Sequence, residues 1–482
     1  MLLAVFVPTL GSFALPLLGR VSLALRNYTA LALVAAALAC CGALVGPAAS
    51  GQTASVIVPL AKGLNLSLHL DGLAVFMALV SSLISTIIVI YSISYISHYE
   101  HQDEYYWMVV LFLGSMMGLV FSGNLVVLYV FWELTAITSW RLIGFYRNKQ
   151  DVVRADKAFL MTGFGALAML LGFIILYTQT GTFELAGIRA ALGGAPIGGL
   201  AAGLILLGIL SKSATLPLHS WLPDAGVAPS PVTALLHAAV LVKIGVYVYA
   251  RLFLATMVLD ADWHTVVLVV AAASALVSAC AAMVDNDIKR IIAYSTVSQI
   301  AFIFLGLAAG NEMGAAGAMV YILMHGLAKG GLFLCAGIIE QNTHTKDIRR
   351  MGGLIRTMPV TAVSFMLCSL SIMGVPPMGG FFGKYMVLSA AAGGGHLGIA
   401  MVFLAGAVLT IVYLLRLFAK IFMGDPAGEP AKEGSPSMVA CVAVLAGLAL
   451  VAGVWINPSA QFARSAAQQM AAGMGHLQGL VR

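Results

Sequence analysis

Stretch after stretch of about twenty apolar residues runs through this chain, and no other feature limits its fold so severely. A helix needs about 20 mostly apolar residues to cross the hydrocarbon core of a bilayer, and about fourteen such stretches fit here. Their approximate limits are 2–19, 27–46, 71–97, 105–122, 124–145, 158–178, 197–218, 229–251, 264–284, 291–309, 314–339, 360–391, 397–421 and 437–456. Backbone groups in lipid must satisfy their own hydrogen bonds, so the expected fold class is all-α, a polytopic membrane protein. Only 9% of the 482 residues are charged, against about a quarter in soluble domains. The longest polar loops, Pro47 to His69, Gln179 to Pro196 and Asp425 to Ser437, are too short for a domain of their own. Leu2 to Leu18 has no basic residue before it and reads as a retained helix rather than a cleaved signal.

The formal charge of +6 does not point to nucleic acid, because the basic residues are spread over short loops. With the N-terminus outside, the inner side receives Arg20, Arg26, Arg147, Lys149, Arg154, Lys289, Arg290, Lys346, Arg349, Arg350 and Arg356, with Arg416, Lys420 and Lys432 near the last inner loop. The outer side keeps little beyond Lys62, Arg189, Arg251, Arg464 and Arg482. That asymmetry follows the positive-inside rule and places both termini outside a bacterial or archaeal inner membrane. Six cysteines lie in apolar stretches without a Cys-x-x-Cys pair, which reads as core packing rather than an iron–sulfur or zinc site. P-loop, zinc-hydrolase and dinucleotide motifs are lacking, and no cofactor or metal is expected in this chain.

Two apolar segments are broken by Pro and Gly. One reads Ser211-Lys-Ser-Ala-Thr-Leu-Pro217-Leu-His219; the other reads Gly374-Val-Pro376-Pro377-Met-Gly379-Gly380-Phe-Phe-Gly383-Lys384. They fall in the seventh and twelfth spans, five apart, which suggests an inverted repeat of five helices. The expected organisation is an N-terminal trio of helices over 1–104, a first repeat over 105–251, a second over 264–421, and a last helix with its tail over 437–482.

Glu133, Lys212, Lys243, Lys329 and Lys384 lie inside apolar segments. Left facing lipid, the set would cost on the order of 12–17 kcal/mol, so these side chains are expected to line an interior polar path. His219, His237 and His325 accompany them, and His325 and Lys329, four apart, share a helix face. A desolvated lysine loses affinity for its proton and a nearby carboxylate restores it, so a moving carboxylate switches the lysine between holding and releasing. Glu133 with Lys212 is the expected switching pair, and Lys243, Lys329 and Lys384 are later stations. The acidic run His98-Tyr-Glu100-His101-Gln-Asp103-Glu104 reads as a solvated turn, and the segments around Asp285–Arg290 and Thr345–Arg350 as inner-face caps or docking points.

Phe131-Trp132-Glu133-Leu134-Thr135, Leu218-His219-Ser220-Trp221-Leu222-Pro223-Asp224-Ala225, Ala228-Pro229-Ser230-Pro231-Val232, Asp287-Ile-Lys289-Arg290 with Ala293-Tyr294-Ser295-Thr296, and Pro376-Pro377 to Lys384 together resemble the antiporter-like subunits of complex I, energy-converting membrane-bound hydrogenases and Mrp-type cation/proton antiporters. The resemblance covers roughly residues 70 to 420. It implies fourteen core helices, inverted five-helix repeats, broken helices 7 and 12, a Glu133–Lys212 coupling pair, Lys243 at the channel centre and Lys384 as a distal exit. It also implies a multi-subunit complex with homologous membrane subunits, lipid, and a peripheral redox arm whose flavin, iron–sulfur or nickel–iron centres lie outside this chain. Three features depart from the pattern: Arg141 stands where an apolar residue is usual and reads as a snorkelling anchor, no lateral helix is expected after the fourteenth span, and Lys384 replaces the Glu of one complex I homologue. Gly181-Thr-Phe and His325-Gly-Leu-Ala-Lys329 resemble the large component of Mrp and its hydrogenase relatives. Proton translocation driven by redox partners is the leading expectation. The alternatives are a subunit of an Mrp-type sodium/proton antiporter and a non-conducting scaffold.

Overall fold

The computed structural model describes residues 1–61, 64–426 and 431–474; Lys62 and Arg482, both assigned above to the outer side, lie outside the described residues. Helices dominate. Their main segments are α1 (Leu2–Val21, with a tighter turn at Ser12–Ala14), α2 (Leu23–Ala49), α3 (Gly72–Tyr95), α4 (Gln102–Val120), α5 (Leu125–Ile143) and α6 (Lys149–Thr180). There follow α7 (Gly199–Lys212), α8 (Ser230–Leu254), α9 (Ala261–Val284), α10 (Ile288–Ala308) and α11 (Glu312–Thr343). The chain continues through α12 (Pro359–Met373), α13 (Gly379–Gly393), α14 (Leu397–Phe422), α15 (Pro436–Val454) and α16 (Asn457–Met474). Among the described residues, eleven helices are long and apolar enough to cross a membrane, and α7 and α12 are shorter apolar helices. This is a multi-pass membrane protein.

The centre of the bundle is built from α3, α8, α10 and α11, whose apolar windows are at least 83% buried, whereas those of α1, α2 and α14 are only 22–33% buried. The contrast separates helices that face protein all round from helices whose outer stripe faces lipid.

One short connection recurs. Asn124 precedes α5 and bridges Glu184; Asp287 precedes α10 and bridges Asp347, both pairs antiparallel. Leu125 N donates to Phe183 O and Leu185 N to Gly123 O, each at 2.9 Å; likewise Ile288 N donates to Lys346 O at 3.0 Å and Ile348 N to Asn286 O at 2.9 Å. The Asn124 and Asp287 side chains cap the helices they precede, a contact worth about 1 kcal/mol each. Thr182 and Thr345 hydroxyls accept from Glu184 N and Asp347 N. α6 and α11, which lead into these clasps, are both 32 residues long and end on a left-handed residue, Gly181 and His344.

The two breaks also match. After α7, Ala214 N donates to Ser211 O and Thr215 N to Leu210 O; after α12, Gly374 N donates to Ser371 O and Val375 N to Leu370 O, all within 3.0–3.1 Å. Ala214 and Gly374 both take positive φ. A non-glycine residue rarely does so, and the turn imposes it on Ala214.

Two regions differ from the sequence reading. The composition of Pro47 to His69 suggests a polar loop, yet Ala54–Ala61 (β1) and Leu64–Leu70 (β2) form an antiparallel hairpin. Leu64-Asn-Leu-Ser-Leu-His-Leu70 alternates with the period of a half-buried strand, and its inner side, with Leu68 and Leu70 buried, docks on the α4–α5 link through His69 N to Phe121 O and Gly123 N to Ser67 O. The tail after α15 is helical: α16 buries Phe462, Ala463, Ala466 and Met470, leaves Arg464 exposed, and Gln469 joins Gly72 N to Ala48 O. Arg26, assigned above to a loop, sits 1% exposed in the first turn of α2, bound to Asp103, Gln102 and Asn27.

Candidate functional site

α7 stops at Lys212 because the chain turns there toward Pro217, and this stop places the lysine at the buried tip of a helix. Its ammonium donates to Trp132 O at 3.2 Å and lies 5.3 Å from the centre of the Trp132 ring, where the π face attracts a cation. Glu133 is the next residue, yet it makes no ion pair with Lys212 among the described residues. Its side chain is half-buried on the outward stripe of α5, between Val130 (55% exposed) and Ile137 (46%). Its charge still reaches Lys212 and Tyr129. The two residues of the expected switching pair are therefore not in contact.

α8 carries Lys243 just past a π-helical segment, Leu235–Ala239, and the irregular residue Val240. Such bulges widen the turn and loosen its hydrogen-bond ladder. Side chains supply donors there: the Lys243 ammonium to Ala238 O and the Ser81 hydroxyl to Ala239 O at 3.0 Å. Gly326 on α11 makes room for the lysine, since a Cβ at that position would lie 2.5 Å from Nζ.

His237 and His325 are fully buried, and neither gives a ring nitrogen to any partner among the described residues. Both nitrogens stay free to take or pass a proton. The His237 ring packs 4.4 Å from Phe333. His325 shares its face of α11 with Lys329, and its ring centre lies 6.2 Å from that of Tyr321. Lys329 donates to Ile292 O at 2.9 Å and Lys384 to Ile372 O at 2.7 Å, the latter 4.7 Å from the Phe302 ring centre. Lys212, Lys243, Lys329 and Lys384 thus rest on backbone carbonyls, not on carboxylates.

Sequence reasoning missed a polar chain that leads to Lys384. Tyr413 donates to Ser295 at 2.6 Å, Gln299 donates to Thr410 at 3.2 Å, and Tyr321 donates to Gln299 at 2.5 Å. Tyr321 in turn lies under Lys384. The signal was present: Ser295-Thr-Val-Ser-Gln299 is a polar run inside an apolar span.

His219 stands apart from this row. It is half-exposed beyond the α7 break, with Nδ1 3.4 Å from Pro217 O. The acidic run is not a free turn either, for Asp103 and Glu104 open α4 and hold Arg26, Arg141 and Arg147. Arg141 is accordingly an ion-pair partner of Glu104, lining a small cavity with Tyr105, Phe145 and Arg147, rather than a snorkelling anchor. Among the described residues no group of three His, Cys, Asp or Glu side chains could hold a metal.

The family model described as NADH:quinone oxidoreductase/Mrp antiporter, TM, matches residues 122–410, and that of the NADH-ubiquinone oxidoreductase (complex I) chain 5 N-terminus matches residues 61–106. The Na(+)/H(+) antiporter A-subunit of Alkalihalophilus pseudofirmus is 37% identical over 82% of this chain and 53% of its own length. The probable K(+)/H(+) antiporter A/B-subunit of Rhizobium meliloti is 38% identical over 78% of this chain and 38% of its own length. The chain spans about half the length of most of the curated relatives it matches. Among solved structures, one chain of the Mrp complex from Dietzia superposes with a TM-score of 0.88 at 23% identity, covering 100% of both chains. Another, from respiratory complex I of Thermus thermophilus, superposes at 0.87 and 25% identity, over 99% of this chain and 100% of that one.

Proposed function

Because the chain belongs to the family of NADH:quinone oxidoreductase and Mrp antiporter membrane subunits, we propose that it moves protons along the row Lys212, Lys243, His325, Lys329 and Lys384, with His237 as a side entry and Glu133 as the charge that modulates Lys212. The observation that carries this reading is the pair of fully buried histidines with unpartnered nitrogens, among the described residues, amid four buried lysines. Static ion pairs that lock helices would place carboxylates against those lysines; here each ammonium holds a weaker, replaceable carbonyl partner.

The basic residues Arg26, Arg147, Lys157, Lys289, Arg290 and Arg416 collect at one end of the bundle, through partners shared with Asp103, Glu104, Asp224, Asp285 and Glu340. By the positive-inside rule that end faces the interior of the cell, with both chain termini on the other side. Taking α4 and the paired halves around each break as further crossings gives fourteen. The matching clasps and breaks then relate α4–α8 to α9–α14 as inverted repeats, five crossings apart. Glu133 on an outward stripe calls for a neighbouring membrane subunit over α5, since lipid is a poor neighbour for a carboxylate.

Redox partners carrying flavin, iron–sulfur or nickel–iron centres would drive the row in a complex I-like or hydrogenase-like assembly. An Mrp-type cation/proton exchanger is the second reading, favoured by relatives named as Na(+)/H(+) antiporter subunits. Co-purified subunits separate the two. The test of the shared claim is proton flux in vesicles holding the intact complex: Glu133→Ala and Lys212→Ala should each lower it, and unchanged flux in both would leave a structural role.

A further inference from the structure

At the basic end of the bundle, α4 and α5 meet around a single carboxylate. Glu104, in the first turn of α4, accepts Arg141 Nε at 2.6 Å on Oε1, takes Arg141 Nη2 on the same oxygen, and accepts Arg147 Nη2 at 2.5 Å on Oε2. The adjoining Asp103 is tied to Arg26. One negative charge therefore faces two positive ones, and the link that follows adds Lys149 and Arg154 against Asp151. Asp156 is engaged separately, accepting from the Trp140 indole at 2.8 Å. Both guanidiniums line one small cavity and are 34% and 45% exposed. Among the described residues Arg141 Nη1 and Arg147 Nε and Nη1 donate to nothing, so each fork keeps open donors beside that cavity.

Depth says what such donors meet. Val130, Glu133, Ile137 and Arg141 follow one another at helical spacing along the outward stripe of α5. Leu134 is the middle residue of α5 and Arg141 lies in its last turn, about 10 Å further along the axis at 1.5 Å per residue. The hydrocarbon core ends about 15 Å from its midplane, within reach of an arginine side chain. The Arg141 guanidinium lies 5.6 Å from the centre of the Trp140 ring, and tryptophan favours this same interfacial level. Glu104 keeps the guanidinium from swinging out into water, so it is held at the level where phospholipids carry their phosphates. Ile137, one turn deeper and 46% exposed, offers an acyl chain an apolar seat. Glu133, about 12 Å from Arg141 along the helix, is left to the neighbouring subunit.

We propose that Arg141 and Arg147 bind the phosphate of an anionic phospholipid in the inner leaflet, with Glu104 as the residue that positions both guanidiniums. Two planar forks beside one cavity suit a phosphate, which offers several acceptor oxygens at once, and basic pockets between membrane helices on the cytoplasmic side are where such headgroups bind. The surplus positive charge selects a lipid with net negative charge, because a zwitterionic headgroup would bring its own cation against the arginines. Fixing the forks in advance lowers the ordering cost of capture. The site lies apart from the row of buried lysines and does not depend on the proton-moving reading.

The test titrates the intact complex, delipidated in neutral detergent, with phosphatidylglycerol and counts bound lipid by native mass spectrometry. The unaltered complex should hold one phosphatidylglycerol at least about tenfold more tightly than Arg141→Leu or Arg147→Gln does, since charge-assisted contacts are lost in each. Arg141→Lys, which keeps the charge without the fork, should fall between them, and phosphatidylcholine should not distinguish the variants. Equal phosphatidylglycerol binding in the unaltered complex, Arg141→Leu and Arg147→Gln would overturn the proposal, as would phosphatidylcholine bound as tightly at this site. Displacement of the lipid by inorganic phosphate at matching concentration would make this a site for free anions and overturn the lipid assignment. Loss of a subunit from Arg141→Leu, with lipid affinity unchanged, would give the arginines to a protein carboxylate instead and overturn it too. Where Arg141→Leu does not assemble, Arg147→Gln, at a more exposed position, decides alone by the same criterion.

Discussion

The two halves of the molecule share a scaffold and differ in where they carry charge. The interval that relates Asn124 to Asp287 relates Glu133 to Thr296 and Ala166 to Lys329. The interval that relates Leu210 to Leu370 at the breaks relates Lys212 to Ile372 and Asp224 to Lys384. Clasps, caps and interrupted helices therefore recur, while the deep charges do not: Glu133, Lys212 and Lys329 fall opposite uncharged residues, and Lys384 falls opposite an acid. Backbone hydrogen bonds must be satisfied in both halves, which keeps the turns alike; ionisable groups are needed only where a proton pauses, which frees their positions to diverge. Even the contacts cross over, since Lys384 donates to the carbonyl of Ile372, the residue that stands for Lys212.

The sharpest way to break this comparison is to erase the difference. Lys212→Ile gives the first break the residue of the second; proton flux should fall at least about tenfold, equivalent to about 1.4 kcal/mol or more at the barrier, while assembly persists because an apolar side chain suits a fully buried site. Flux in vesicles together with co-purification reads both. Next, Arg251→Ala removes a first-half anchor: Arg251 grips Asp71 through two contacts at 2.5 and 2.8 Å, both groups buried. Stranding that carboxylate should cost about 3–5 kcal/mol, seen as a lower unfolding temperature of the purified complex.

The same pair predicts a pH effect. Burial raises the Asp71 carboxyl, but the Arg251 guanidinium more than reverses this and holds it down at about 2. A depressed carboxyl adds stability that is fully present above its unfolded value, about 3.9, and is lost as pH falls toward 2. Asp71→Asn should flatten the acid limb of a stability profile between those limits. A smaller change is expected from Gly326→Ala, whose Cβ would press on the Lys243 ammonium and reduce flux by about three- to tenfold without unfolding. Smallest of all, Asn124→Ala and Asp287→Ala should each cost about 1 kcal/mol. Equal losses in a thermal melt would support the shared scaffold, and a large inequality would argue against it.

Much of the fold was legible because long apolar runs and Pro–Gly breaks act locally. Lys212, Lys243, Lys329 and Lys384 were legible for the same reason, a charge inside an apolar run being conspicuous. What escaped depends on contacts between distant segments. The hairpin was hidden because a two-stranded sheet is short and its polar alternate residues read as a loop, although the leucine alternation from Leu64 to Leu70 was there to be counted. The apolar flanks of Glu133 suggest an inward carboxylate, yet its helix turns it to the outer stripe, which residue spacing alone cannot orient. The Gln299, Tyr321, Thr410 and Tyr413 network and the Lys289–Glu340 pair join helices far apart in the chain.

Protons that cross the molecule by the proposed row must pass Lys243, the ammonium seated at the π-helical bend between the two halves. The direct measurement is proton flux across vesicles containing the intact complex with Lys243→Met, a substitution that keeps length and removes the proton site. Flux at the level of protein-free vesicles, with the complex still assembled, is the predicted result; flux equal to the unaltered complex would contradict it.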